Sequence, residues 1–196
     1  MSGKYKEQWQ NYFEGGIEMW SYFGYQYHSY TITKHIVSKL SIPKHGKLIQ
    51  LGTGLGVVVE YLCNKYGYDR VIGYDLFNPL GHPNIEFLDM ETDIPDENKI
   101  AYLEIDVGSM SHFSEQRKKI LEWSFSNMVS GGYVLTNKKL ALELQEEPAS
   151  SWNFELGQHR FDIINLNEFD VPELWENVHQ SRLNTKVLLK IGDRNK

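Results

Sequence analysis

The sequence predicts an α/β fold with a doubly wound, mostly parallel sheet of seven strands and an antiparallel edge strand. Two observations predict it. Short apolar runs alternate with helical patterns over the chain after residue 46, and such alternation is typical of βαβ units with a parallel sheet. The first apolar run leads into a loop with glycines at alternate positions, 52 to 56. Sheets of this class bind ligands at the carboxyl ends of their strands.

The predicted elements follow one another in the order that such a sheet requires. The first strand is predicted at 47–51, and a helix at 55–66, because apolar residues recur there at helical spacing before Gly67. A second helix is predicted at 111–129, ended by the pair Gly131-Gly132. The segment between the last two strands, which includes VPELWENVH, is short and favours an antiparallel edge. The other strands are predicted at 71–75, 85–89, 100–106, 133–137, 161–166 and 186–191.

Composition and charge exclude several classes of function. The chain has 196 residues, enough for one domain with a full core, and a net charge of -6, which argues against a nucleic-acid partner. Its apolar runs fall short of the roughly 20 residues that a membrane span needs, and its start lacks a secretory pattern. The single cysteine, Cys63, lies on an apolar helix face, where we expect it in the core. We therefore expect a soluble, cytoplasmic protein with no membrane partner.

The spacing of the loop glycines favours a nucleoside cofactor. A dinucleotide site has the pattern G-x-G-x-x-G, but Val57 occupies the third glycine position, and this disfavours a nicotinamide dehydrogenase. Asp75 ends the second predicted strand, 19 residues after Gly56, where a carboxylate can accept both hydroxyls of a ribose. The loop and the acid together favour an adenosyl cofactor without a pyrophosphate. The alternative is a tight strand-to-helix turn beside a surface aspartate.

Two stretches of the chain resemble motifs of a known enzyme family. LIQLGTGLG, residues 48–56, resembles the first motif of class I S-adenosylmethionine-dependent methyltransferases, and VIGYD, residues 71–75, resembles their second. The stretches VIGYDLFNP, IAYLEIDVGSM and SGGYVLTN are similar to the macrocin O-methyltransferase group, related to cephalosporin hydroxylases. The resemblance covers residues 47–137. It implies a Rossmann-like sheet, S-adenosyl-L-methionine as the cofactor, and methyl transfer to a small hydroxylated molecule such as a sugar or a glycoside.

The resemblance also implies roles for residues at the ends of the strands. The loop glycines would border the methionine and ribose parts of the cofactor, Asp75 would hold the ribose, and the segment after the third strand would lie near the adenine. Asp106, at the end of the fourth strand, would be the catalytic base for the acceptor hydroxyl. Its alternative is an acid that caps the next turn. The implied cofactor-binding residues are Gln50, Gly52, Gly54, Gly56, Asp75, Leu88 and Asp89.

Some positions depart from the pattern of the resembled enzymes. Gln50 stands where they usually carry an acid that favours the ammonium group of the cofactor. Gly108 and Asn137 stand where relatives have acids that bind Mg²⁺. Because a hard cation needs several carboxylate oxygens, we expect no metal. These departures keep a second function open, a non-catalytic Rossmann-like protein that binds an adenosyl ligand or a protein partner. Glu104 is unusual inside an apolar strand, and is either buried with a partner or part of a less covered strand.

Residues 1–46 are interpreted as an aromatic-rich N-terminal helical segment, and residues 47–196 as the cofactor-binding domain. Ten aromatic side chains lie in the first 30 residues. The segment packs a helix on the sheet, forms the interface of a homodimer, or closes over the cofactor as a lid. In the last case Trp20, Tyr22 and Tyr27, with Asn137 from the sheet, would shape the pocket of a small-molecule acceptor.

Overall fold

The computed structural model describes residues 7, 19–105, 114–137, 161–166 and 186–192. Within these ranges it describes the side chains of residues 7, 27–105, 116, 118–137, 162–164, 166 and 186–192. No helix in the described ranges is both long and apolar enough to cross a membrane. The elements are α1 (Met19–Lys39), β1 (Lys47–Leu51), α2 (Val57–Tyr66), β2 (Val71–Asp75), β3 (Ile85–Phe87), β4 (Ile100–Ile105), α3 (Ser114–Asn127), β5 (Met128–Asn137), β6 (Phe161–Asn165) and β7 (Lys186–Ile191).

The strands form one seven-stranded sheet in the order β3-β2-β1-β4-β5-β7-β6. Neighbouring strands from β3 to β5 are parallel, and β7 runs antiparallel to both β5 and β6. The predicted fold class is therefore confirmed, with the antiparallel pairing at one edge. β1 and β4 lie side by side, and the chain leaves them in opposite directions across the sheet. Sheets of this class bind their ligands where the strand order reverses in this way.

Helices cover both faces of the sheet. Successive strand residues point to opposite sides, so each central strand contributes side chains to a core on either face. On one face, Ile49 of β1 shares a core with Phe125 of α3. On the other face, Leu48 shares a core with Ile36 of α1 and Val59 of α2. Cys63 is buried in this second core, as expected. All residues of β4 are buried, because the strand is covered on both faces. Its sequence is almost wholly apolar for the same reason.

β5 begins at Met128, directly after α3, and not at residue 133. The pair Gly131-Gly132 therefore lies inside the strand, and the prediction that it ends a helix is wrong. Ile100 of β4 pairs with Met128, whereas Tyr102 pairs with Tyr133, so β5 carries extra residues between the two pairs. Gly131 has a φ of 74°, a left-handed conformation that glycine adopts at no steric cost. Glycine thus forms a bulge here, where sequence alone suggested a turn.

Replacing Ile36 by alanine should lower the free energy of unfolding by about 2–5 kcal/mol. Ile36 is 0% exposed and packs between α1 and the sheet, so its loss removes contacts and leaves a cavity. Lys39→Ala is the control, because Lys39 is exposed on the same helix and should change stability by less than about 0.5 kcal/mol. Urea unfolding followed by circular dichroism measures both. Equal, small effects would contradict a core shared by α1 and the sheet.

Candidate functional site

The loop after β1 takes a backbone conformation that glycine adopts readily and other residues do not. Gly52, Gly54 and Gly56 have φ values of 75°, 58° and 78°, all in the left-handed region where a Cβ atom is disfavoured. The Gly52 N–H donates to the Tyr74 carbonyl oxygen of β2 at 2.9 Å, which joins the start of the loop to the neighbouring strand. The alternating glycines are therefore a requirement of the backbone geometry.

Two glycines bring the loop into direct contact with the neighbouring strands. A Cβ atom on Gly56 would lie 2.6 Å from Cδ1 of Ile85 in β3. A Cβ atom on Gly73, in β2, would lie 2.5 Å from Cγ2 of Thr53 in the loop. Because carbon atoms pack at about 3.5–4.0 Å, a side chain at either position would displace the loop or its neighbour. The absence of these two Cβ atoms thus sets how closely the loop approaches the sheet.

The Asp75 side chain holds the loop from the end of β2. Its Oδ2 accepts a hydrogen bond from the Gly54 N–H at 2.8 Å, and its Oδ1 accepts one from the Phe77 N–H at 3.2 Å. Burial raises the pKa of the Asp75 carboxyl, and hydrogen bonds from backbone N–H groups, Gly54 first among them, oppose this shift. Backbone hydrogen bonds from Leu76 and Thr53 also act on this carboxyl. Asp75 is therefore a structural tie, and a ribose hydroxyl would share its oxygens with these N–H groups.

The segment after β3 lies beside Asp75. The Leu88 N–H donates to the Asp75 carbonyl oxygen at 2.9 Å. Leu88 is buried in the core, and the Asp89 Oδ1 accepts the Glu91 N–H at 3.0 Å within a turn of its own segment. Phe87, the residue opposite Asp75 in the β2–β3 pair, is 64% exposed. Phe87 therefore presents an apolar ring on the strand beside Asp75, a feature that was not predicted from the sequence.

His82 fastens the loop between β2 and β3 to α2. Its Nε2 lies 2.8 Å from Oε2 of Glu60, and its Nδ1 accepts the Asn84 N–H at 3.1 Å. Because Nδ1 is an acceptor, Nε2 carries the proton and donates it to Glu60. This hydrogen bond is the largest cause of the lowered pKa of the Glu60 carboxyl. The His82 ring also lies beside Gly56, whose added Cβ would be 3.8 Å from His82 Cδ2, so this contact supports the loop from outside.

Gln50 and Glu104 lie next to each other on β1 and β4, where they are Cα partners. Both are buried, at 4% exposure each. The Glu104 Oε2 accepts the Thr33 hydroxyl of α1 at 2.7 Å and the Tyr102 hydroxyl at 3.0 Å. Burial, followed by the Glu104 charge, raises the pKa of Tyr102 well above its ordinary range, so this hydroxyl is a stable donor. Of the two interpretations of Glu104, burial with partners is therefore correct.

Two buried oxygen atoms in this region, one of them on Gln50 itself, lack a hydrogen-bond partner within the part of the chain that the structure describes. They are Oε1 of Gln50 and Oγ1 of Thr53. Thr53 is 0% exposed and lies between two of the loop glycines. Thr53 was not predicted as a site residue, although its position inside the motif was a usable signal. Thr33 was not predicted either, because its contact with Glu104 leaves no trace in the local sequence. Buried polar groups are rarely unpaired, so these two oxygens are acceptors to which a ligand or water can donate.

The remaining predicted site residues lie outside the described part of the chain or away from the loop. Asp106 and Gly108 lie outside the described residues, as do the side chains of Trp20 and Tyr22, and their roles stay predictions. Tyr27 is 55% exposed on α1. Asn137 ends β5, which is separated from β1 by β4. Within the described ranges, no group of three or more His, Cys, Asp or Glu side chains could hold a metal ion.

Comparison with known proteins gives matches among solved structures. No family model and no curated protein matches the chain. Phosphoethanolamine N-methyltransferase 1 of Haemonchus contortus, in complex with phosphoethanolamine and S-adenosylhomocysteine, is similar with a TM-score of 0.50 and 11% identity, over 83% of this chain and 42% of that chain. A TehB-like SAM-dependent methyltransferase from Corynebacterium glutamicum has a TM-score of 0.49 and 14% identity, over 98% of this chain and 97% of that chain. A SAM-dependent methyltransferase from Archaeoglobus fulgidus has a TM-score of 0.49 and 15% identity, over 85% of this chain and 93% of that chain. The likeness is one of fold, a Rossmann-like α/β sheet.

Gly56→Ala should destabilise the protein more than Gly81→Ala. Both glycines have a positive φ, 78° and 65°, so both substitutions carry a backbone cost of about 1–2 kcal/mol. Only the Gly56 Cβ meets a close neighbour, Cδ1 of Ile85 at 2.6 Å, whereas the Gly81 Cβ has no atom of the described structure within 4 Å. The extra loss at Gly56 should be about 1–3 kcal/mol, measured by urea unfolding. Equal losses would contradict a close contact between loop and β3.

Asp75→Asn should remove a pH dependence of stability. Burial raises the folded-state pKa of Asp75 above its ordinary value of 3.8, so the folded protein holds this proton more tightly than the unfolded chain. The group's contribution to stability is therefore full below pH 3.8 and is lost as the pH rises through the folded-state pKa. Unfolding free energies of both proteins, measured between about pH 3.5 and 6, should shift in favour of the variant as the pH rises. A shift in favour of the wild type would contradict the sign of the pKa change.

Proposed function

We propose that the chain binds S-adenosylmethionine at the loop of residues 52–56 and Asp75, and transfers its methyl group to a small hydroxylated molecule. One observation carries the proposal. The Gly54 N–H donates to the Asp75 carboxylate at 2.8 Å, and this pair lies at the carboxyl ends of two neighbouring parallel strands. A loop with glycine at alternate positions and an acceptor beside it are the features that an adenosyl ligand requires at such a position.

The residues present fit the cofactor. The three loop glycines place no side chain between the backbone and a ligand, Asp75 can accept ribose hydroxyls, and the exposed Phe87 on the neighbouring strand offers an apolar face for the adenine. The Gln50 Oε1 and Thr53 Oγ1, which have no partner among the described residues, offer polar contacts at the base of the loop. When bound, S-adenosylmethionine supplies a methyl group already activated by its sulfonium. The chain therefore has to hold and align two reactants, which can lower a barrier by about 7–11 kcal/mol.

The acceptor site belongs to the same proposal. Asp106 is proposed as the base, because it follows β4 at the end of the sheet where the loop lies. Trp20, Tyr22, Tyr27 and Asn137 are proposed to line the acceptor pocket. A sugar or glycoside acceptor, as in the macrocin O-methyltransferase group, is supported by the motif resemblance.

Gln50 favours a second candidate, a non-catalytic protein that keeps the adenosyl site for binding or assembly. Methyltransferases of the resembled family usually have an acid at this position, and here a neutral amide is buried. The two candidates differ in one observable. Both bind the adenosyl ligand, but only the enzyme converts S-adenosylmethionine to S-adenosylhomocysteine in the presence of hydroxylated acceptors.

Titration calorimetry with S-adenosylmethionine, S-adenosylhomocysteine and NAD tests the proposed site. Both adenosyl ligands should bind, and NAD should not. Asp75→Asn keeps the size of the side chain and one acceptor oxygen for Gly54, but removes the charge that would hold the ribose hydroxyls. It should weaken adenosyl binding by about tenfold or more. Asp162→Asn is the control, because Asp162 is exposed on β6, at the far edge of the sheet. Binding of NAD but of neither adenosyl ligand would end the proposal.

A further inference from the structure

A row of buried polar side chains crosses the sheet beneath the glycine loop. Gly73, Gln50 and Glu104 are neighbours across β2, β1 and β4. Thr53 lies over Gly73, because its Cγ2 occupies the space of the missing Cβ. We call Thr53, Gln50 and Glu104 the polar row. It lies on the sheet face covered by α1 and α2, since Glu104 contacts Thr33 of α1 and Gly73 adjoins Val59 of α2.

The polar row is rich in acceptors and almost closed to solvent. Its three side chains are 0%, 4% and 4% exposed. Glu104 contributes a carboxylate, and Gln50 and Thr53 contribute the two oxygens that have no partner within the described residues. A buried carboxylate is costly unless positive charge or hydrogen-bond donors reach it. The Thr33 and Tyr102 hydroxyls donate to Glu104, and one carboxylate oxygen can accept more than one hydrogen bond. The row therefore suits a ligand group that is positively charged and has several N–H donors.

We propose that the polar row binds the α-ammonium group of the methionine part of the cofactor, with Glu104 as its counter-charge. This inference rests on the proposed function and names the residue that recognises one end of the ligand. An ammonium combines a positive charge with three N–H donors, so it can contact the Glu104 carboxylate, the Gln50 Oε1 and the Thr53 Oγ1 together. The chain thus carries on β4 the charge that Gln50 lacks on β1, one strand away in the same register.

A purely structural role for Glu104 makes a different prediction. Its hydrogen bond with Thr33 joins the sheet to α1, and an anchor of this kind would affect stability without distinguishing one ligand from another. The two roles are separated by a pair of ligands that differ only in the ammonium group. S-Adenosylhomocysteine and its deamino analogue, in which hydrogen replaces the α-amino group, form such a pair.

Calorimetry with the two ligands on four full-length proteins tests the inference. Wild type should bind S-adenosylhomocysteine at least about tenfold more tightly than the deamino analogue. Glu104→Gln should reduce this ratio to within about threefold, mainly by weakening S-adenosylhomocysteine. The double variant Gln50→Glu with Glu104→Gln returns one carboxylate to the row and should restore the ratio. Thr33→Val removes the anchor but keeps the charge, so it should lower the melting temperature and leave the ratio unchanged.

The outcomes separate this inference from the proposed function. If wild type binds neither ligand, the proposed function fails. If wild type binds both equally, or if Glu104→Gln keeps the wild-type ratio, the adenosyl site stands and the role of Glu104 in ammonium binding is overturned. Where Glu104→Gln does not fold, the double variant decides: a wild-type ratio supports the inference, and a ratio near one overturns it.

Discussion

The hydrogen bond from the Gly54 N–H to the Asp75 carboxylate connects the loop after β1 with the end of β2, and the geometry of the candidate site depends on it. The loop glycines allow the chain to turn back over the sheet, but freedom alone does not select one conformation. The Asp75 carboxylate, whose Oδ2 lies 2.8 Å from the Gly54 nitrogen, selects one conformation of the loop. The same carboxylate is the proposed contact for a ribose, so a ligand at this position would meet a group whose direction is already fixed. Binding therefore requires little further ordering of the loop.

A second polar tie connects the sheet to α1. Glu104 is buried, and its hydrogen bonds with Thr33 and Tyr102 offset the cost of removing a carboxylate from water. Because Ile32, Ile36 and Val37 are also buried, the C-terminal half of α1 is held by both apolar and polar contacts. This half of the helix is a fixed wall of the polar row.

Much of the fold could be predicted from the sequence because a strand buried on both faces is nearly continuous in apolar residues. KVLLKI predicted the bounds of β7 for this reason. The start of β5 could not be predicted, since Met128 to Ser130 show no alternation and the following glycine pair is equally typical of a turn. In the site, glycine spacing and Asp75 were readable because both are local features. The contact between Thr33 and Glu104 joins residues 71 positions apart, and nothing in either neighbourhood indicates the other.

The position of β7 has a consequence for the synthesis of the chain. β6 precedes β7 in sequence, yet among the described strands β7 is its neighbour in the sheet, and β7 also separates it from β5. As the chain leaves the ribosome, β1 to β5 can pair in parallel, while β6 has only β7 to join among the described strands. Until β7 emerges, the edge of β5 that pairs with it presents N–H and C=O groups, which are a template for pairing with another chain. The interval between the translation of residues 137 and 191 is therefore the period in which the nascent protein is most exposed to aggregation.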